Sequence, residues 1–218
     1  MKRLSKVKID WSPKFAYAIG LIATDGCLCN DSRHIDFTSK DKELVIKFKE
    51  CLGINNKIGI KRRGNDGYSR EAKYFRIQLG DRNFYDFLLS IGLSQRKSKS
   101  LGSLNIPDEF FVDFLRGCID GDGSIGFHSH PESKHPQFRI RLVSASEDFV
   151  HWLKLKIKDI FLIEGGWIYK SRDTSVLSYA KSDSIKLVDF LYKDKNCVYL
   201  SRKYDVVKKF YGRVAELV

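Results

Sequence analysis

Between Asp108 and Gly126 the chain reads DEFFVDFLRGCIDGDGSIG, in which Phe110, Phe111, Phe114, Leu115, Cys118 and Ile119 fall at helical spacing. They predict one apolar stripe on a helix of about three turns. The helix runs into Asp120, Gly121, Asp122 and Gly123, so its carboxylates stand at the end whose dipole is already negative. Acidic groups are favoured at the opposite end of a helix, and a role other than folding is expected for these. The pattern occurs a second time. Trp11, Ser12 and Pro13 form a helix-start signal, with Ser12 as N-cap and Pro13 in the first turn. The segment Lys14 to Gly26 is then apolar almost all round and ends in Asp25-Gly26, as the later stretch ends in Asp122-Gly123, 97 residues on.

The elements downstream of the two copies also correspond. After the first, strands are predicted at Cys27–Asn30 and His34–Thr38, then a helix at Lys40–Leu52. Strands at Lys57–Arg62 and Lys73–Leu79 flank the turn-rich Gly64–Gly67, and a helix at Asn83–Ile91 closes the unit. After the second come strands at Ser124–His128 and Gln137–Ser144 and a helix at Glu147–Phe161. Strands at Gly166–Lys170 and Ser175–Ala180 and helices at Ser182–Leu191 and Leu200–Arg213 complete it. The expected fold class is α+β, two α-β-β-α-β-β-α halves at 1–97 and 109–218 joined by a linker at 98–108.

Two strands alternate strictly, with Gln137, Arg139 and Arg141 opposite Phe138, Ile140 and Leu142, and Tyr74, Arg76 and Gln78 opposite Phe75, Ile77 and Leu79. A single basic face of this kind is ordinarily a solvated sheet surface. Charge changes that reading: the formal net charge is +12 and the pI about 9.4. Lys and Arg outnumber Asp and Glu by 21 to 12 up to Asp108 and by 18 to 15 beyond it. A polyanion is the expected partner. No apolar run is long enough for a membrane span or a signal peptide, which leaves nucleic acid ahead of a membrane surface. Five scattered cysteines do not make a disulfide framework and fit an intracellular setting. With 43% hydrophobic and 13% aromatic residues, 218 residues suffice for a substantial core.

Three motifs compete for the acidic stretch. Gly121, Gly123 and Gly126 satisfy G-x-G-x-x-G, but the dinucleotide fingerprint needs a strand before it and a helix after it, the reverse of the order here. Asp120, Asp122 and Ser124 resemble the start of a calcium loop, whose sixth and twelfth positions would be Ile125 and Pro131 instead of Gly and Glu. The third match is the nine-residue signature of the LAGLIDADG homing endonucleases, which Ala18–Gly26 and Leu115–Gly123 both resemble. Two copies, each succeeded by the same order of elements, cover nearly the whole chain.

The resemblance implies two signature helices packed at a pseudo-two-fold axis and two saddle-shaped antiparallel sheets facing DNA. Gly20 and Thr24, like Gly117 and Gly121, are small residues four apart that would let the two helix backbones approach. Asp25 and Asp122 would then meet near the axis and, with Gly26 and Gly123 beside them, hold Mg²⁺, with Mn²⁺ or Ca²⁺ able to occupy the same sites. Asp120 corresponds to Ala23 in the other copy and is expected to cap or pack rather than to bind metal. Lys203 and Lys97 stand where the family places catalytic-centre bases; the alternative for both is a phosphate-gripping or solvated lysine. DNA contacts are expected from Asn30, Arg33, His34, Lys61, Arg63, Tyr74, Arg76 and Gln78 in the first half. In the second they are expected from His128, His130, Gln137, Arg139, Arg141, Tyr169, Arg172 and Lys181. His128, His130 and His135 lack a fourth ligand at zinc-site spacing. The implied activity is that of an intron-encoded or free-standing monomer that cuts one phosphodiester per strand of a long, non-palindromic duplex. The alternative is a non-cleaving relative acting as an RNA maturase on a host intron or as a DNA-binding regulator.

Overall fold

The computed structural model describes residues 5–63, 72–130 and 133–215, with backbone alone at 62–63, 72, 130, 133–135 and 213–215. The turn at Gly64–Gly67, the side chains of Arg63, His130 and His135, and Pro131 lie outside what is described. The first half runs α1 (Pro13–Asp25), β1 (Gly26–Leu28), β2 (His34–Ser39), α2 (Lys42–Cys51), β3 (Gly59–Arg63), β4 (Ala72–Gly80) and α3 (Arg82–Ser90). The second runs α4 (Phe111–Asp122), β5 (Ser124–His130), β6 (Ser133–Ser144), α5 (Glu147–Phe161), β7 (Trp167–Ser171), β8 (Thr174–Tyr179), α6 (Lys181–Leu191) and α7 (Ser201–Ala215). Each half holds one antiparallel sheet, ordered β1-β2-β4-β3 and β5-β6-β8-β7, so the repeat read from the sequence is a repeat of topology. Among the described residues no helix is long and apolar enough to cross a membrane.

α1 starts as its first residues dictate. The Ser12 hydroxyl accepts from the Phe15 N–H at 3.3 Å and Pro13 occupies the first turn. Every residue from Phe15 to Ala23 is buried, because α1 is walled by its own sheet, by Trp11, Phe84 and Phe87, and by α4. α4 begins at Phe111, one residue after the start of the apolar stripe. A 3-10 turn takes Asp108–Phe110, its last N–H bonded to the Pro107 carbonyl. β1 stops at Leu28 rather than Asn30, since the Asp31 carboxylate collects the N–H groups of Arg33 and His34 and Ser32 adopts a positive φ.

The two signature helices touch backbone to backbone. A Cβ placed on Gly20 would lie 2.1 Å from the Phe114 carbonyl oxygen, and one on Gly117 would lie 2.2 Å from that of Tyr17. One turn further on, a Cβ on Gly121 would meet the Thr24 hydroxyl at 2.1 Å. Residues 98–108 pack into the same core, with Leu101, Leu104 and Ile106 buried and the Leu101 carbonyl accepting from the Ser146 hydroxyl. At its start α7 returns to the first half, where Ser201 bonds Glu43, Arg202 bonds Asp41, and the Tyr199 carbonyl accepts from Lys47.

Gly20→Ala and Gly117→Ala are expected to lower stability by about 1–3 kcal/mol each, the usual cost of forcing a methyl into a packed contact. Gly212→Ala, in open space, is the control in chemical unfolding.

Candidate active site

The helix crossing sets the site. Both helices end in the same way: Gly26 and Gly123 are extended caps whose N–H groups bond the Ile22 and Ile119 carbonyls. A Cβ on either would fall 2.7 Å from the Cα of that isoleucine, so glycine is required for the chain to leave the helix at this angle. Asp25 and Asp122 are the residues just before these caps. An Asp25 carboxylate oxygen lies only 3.5 Å from where a Gly121 Cβ would be, against the last turn of α4. Desolvation first, and then repulsion by Asp122, push the Asp25 carboxyl up to about 6. Desolvation also raises Asp122, which keeps one side open to solvent, and the proximity of Lys97 and Lys203 works against the rise in both. The charge of Asp122 thus bears on the protonation of Asp25, after the larger effect of burial.

Neither lysine is solvated. Lys97 is 6% exposed, in the 3-10 turn Lys97–Lys99, and donates to the Thr24 carbonyl at 3.1 Å. Lys203 is 4% exposed, in the first turn of α7, and donates to the carbonyls of Ile119, Asp120 (2.9 Å) and Gly123 (2.8 Å). Each ammonium therefore caps the C-terminal carbonyls of one signature helix, where a cation is favoured. Burial lowers both lysines, Lys203 to about 8. The two differ in what remains available: the three carbonyls use the three N–H bonds of Lys203, whereas Lys97 has one such partner. Lys97 also lines a cleft of about 370 Å³ with Thr24, Asp122 and Ser144.

Asp120 is fully buried and does not face this cleft. One carboxylate oxygen accepts from the Tyr17 hydroxyl at 2.7 Å and from the Leu200 N–H at 2.8 Å, which ties α1 and the start of α7 to α4. Arg116 is buried beside it, bonded to Asp113 and to the Leu191 carbonyl. Among the described residues no group of three or more His, Cys, Asp or Glu gathers around a metal position. Two carboxylates suit Mg²⁺ none the less, since that ion is commonly held by one or two carboxylates with water and substrate phosphate completing the shell. The Gly123 carbonyl already accepts from Lys203, which makes it the weaker of the two backbone donors.

Strand register places the remaining candidates. In the first sheet Cys27, Asp36 and Gln78 lie across from one another, as do Thr38, Arg76 and Gly59, and Tyr74 and Lys61, on the face away from buried Ile35, Phe37, Ile77 and Leu79. In the second, Ser124, Arg141, Ser178 and Trp167 form one row, Gly126 with Arg139 another, and His128 with Gln137 a third. Tyr169 pairs with Val176 on that face, and Trp167 and Tyr169 are both exposed. Asn30, Arg33 and Arg172 are exposed at loop tips, while Lys181 opens α6 and lies off the strands. His34 is engaged by Asp31 and rests against Gly80. Asp36, the partner of Arg76, is not singled out by the sequence, although the alternation His34, Asp36, Thr38 already places it on this face.

Two four-stranded antiparallel sheets flanking a pair of packed helices that each end in an aspartate match the double-motif LAGLIDADG fold. Residues 12–92 match the family model of the LAGLIDADG-like domain. No curated protein sequence matches the chain. Among solved structures it is similar to the homing endonuclease I-WcaI bound to its DNA recognition sequence, at 14% identity and a TM-score of 0.66 over 94% of this chain and 88% of that one. It is similar to I-DmoI in complex with DNA and Ca, at 16% identity and a TM-score of 0.54 over 84% and 90%. Full-length DUF199/WhiA from Thermatoga maritima matches at 16% identity and a TM-score of 0.58 over 94% of this chain, which spans 63% of that longer protein.

The pH dependence of the metal-free protein is set by these shifts. Raised to about 6 from 3.8, Asp25 binds more protons folded than unfolded, so stability falls as pH rises through that window. Lowered to about 8 from 10.5, Lys203 acts oppositely, and stability recovers only above 8. Asp25→Asn is therefore expected to raise the metal-free melting temperature between about pH 6 and 8 and to leave it nearly unchanged near pH 3.5.

Proposed function

We propose that this chain is a site-specific endonuclease that cuts both strands of a long, non-palindromic DNA duplex. The observation that carries the reading is the convergence of Asp25 and Asp122 at the crossing of α1 and α4, between two saddle faces of basic and amide side chains. A protein with two different faces in one chain has no need of a palindrome or of a second subunit. Asp25 and Asp122 would hold Mg²⁺, and crystals of the similar I-DmoI with target DNA were obtained with Mg, Mn or Ca. Bound there, the cation supplies a Lewis acid at the phosphate and lowers the pKa of a water.

The side chains of this protein do the rest. The sheets hold the duplex so that one strand passes each carboxylate. Thr24, Leu101 and Phe149 wall the cleft beside Asp122 and limit water access. Lys203 stiffens the end of α4 through its three carbonyls. Lys97, with donors to spare, faces the phosphate and offsets the charge that develops on it.

A plasmid-library cleavage assay with Mg²⁺ tests this. The wild type is expected to linearise a subset of plasmids. Asp25→Asn and Asp122→Asn should each lower cutting by on the order of a thousandfold, the scale of losing a principal electrostatic stabiliser, while DNA binding persists. A wild type that shifts duplex DNA but nicks none of it sinks the enzyme reading in favour of a maturase or regulator. The two lysines are expected to separate. Lys97→Met should lower the cutting rate about a hundredfold and cost about 1–3 kcal/mol of stability for the single Thr24 carbonyl it leaves unpaired. Lys203→Met should chiefly destabilise, by about 1–3 kcal/mol for each carbonyl left unpaired.

A further inference from the structure

The two sheets are not equally free to bind. On the second, the Nε atoms of Arg139 and Arg141, the Nε2 of His128 and the hydroxyl of Ser178 are buried without a hydrogen-bond partner. Orphaned polar atoms of this kind need an explanation. Across the strands, Arg139 and Arg141 face Gly126, Ser124 and Ser178, none of which offers a carboxylate, and no ion pair reaches either arginine among the described residues. The Arg139 guanidinium carbon lies over the Trp167 ring, 5.4 Å from its centre, within cation–π range. Burial and the two arginines hold His128 below its usual value, so the cluster is a site of uncompensated positive charge.

The first sheet is the contrary case. The Nε of Arg76 lies 2.8 and 2.7 Å from the two carboxylate oxygens of Asp36, and its terminal nitrogen lies 2.5 Å from one of them. A forked arginine–carboxylate pair is among the stronger polar contacts. Arg76 must give it up to meet a base, and a carboxylate on the same face repels phosphate.

We propose that the halves divide the duplex unequally: Arg139 and Arg141 read guanines and supply most of the affinity, while Asp36 withholds Arg76 and acts as a specificity residue of the weaker half. This rests on the duplex-DNA reading above but not on cleavage. Arginine pairs with guanine O6 and N7 through two hydrogen bonds. Two residues along a strand at roughly 3.3 Å each span about two base-pair steps of roughly 3.4 Å, so the guanines should lie about two base pairs apart.

The test is selection of duplexes from a random-sequence pool by the wild type in EDTA, and then anisotropy titrations of the selected duplex. One half-site should carry the two guanines. Arg139→Ala and Arg141→Ala should each weaken binding by roughly 5- to 150-fold and relax the choice at one guanine. Arg139→Lys, which keeps the charge, should relax the choice with a smaller loss. Arg76→Ala should cost less than about threefold, since Asp36 already engages its Nε and one terminal nitrogen, and Asp36→Asn should tighten binding and broaden the selected sequences. Equal losses for Arg76→Ala and Arg139→Ala, or weaker binding by Asp36→Asn at unchanged melting temperature, would overturn the proposal. A wild type that binds no duplex overturns the DNA reading with it, whereas one that binds without cutting leaves the division of the halves intact.

Discussion

The contact between the backbones of α1 and α4 is the constraint on which the rest depends. Gly20 against the Phe114 carbonyl and Gly117 against that of Tyr17 leave no room for a single methyl, and this closeness decides where the ends of both helices lie. A side chain at either glycine would have to push the helices apart by about 1 Å to relieve the overlap. It would also turn the two sheets relative to each other, because β1 and β5 leave directly from the helix caps. Site and saddle are thus consequences of one packing arrangement, repeated in each half by a small residue four positions before a glycine or threonine.

That arrangement places two carboxylates where helix dipoles oppose them, and the protein answers with two lysines drawn from later in each half. Lys97 and Lys203 cap the carbonyls beneath the aspartates and lower the cost of their charge without pairing directly with them. The residual cost shows in the shifted carboxyls and in the lowered lysines. A site whose anions and cations are both held away from their favoured states at neutral pH is built for a further charged group rather than for stability.

Much of this was legible in the sequence. The 3.6-residue period of Phe110 to Ile119, the 97-residue repeat and the strict alternation of Gln137 to Leu142 gave the helices, the pseudo-symmetry and the faces of the sheets, because each depends on local spacing. Asp120 could be demoted because Ala23 holds the equivalent position in the first copy. The remainder depends on partners distant in sequence. Asp36 meets Arg76 forty residues away, and no local pattern reveals that a basic face carries its own neutralising acid. Lys97 and Lys203 could be located but not ranked, since the number of carbonyls each one caps is set by where the 3-10 turn and α7 pack. Leu101, Leu104 and Ile106 are too sparse among Ser, Gly and Asn to announce that residues 98–108 are part of the core.

The central claim is that crossed helices present Asp25 and Asp122 to the two strands of one duplex. A crystal structure with a selected duplex and Ca²⁺, which supports binding while slowing cutting, examines it directly. The expected result is Ca²⁺ ligated by both aspartates and by one phosphate from each strand, with the duplex lying along both sheet faces. Ions held elsewhere, or DNA bound on the helical side away from the strands, would contradict it.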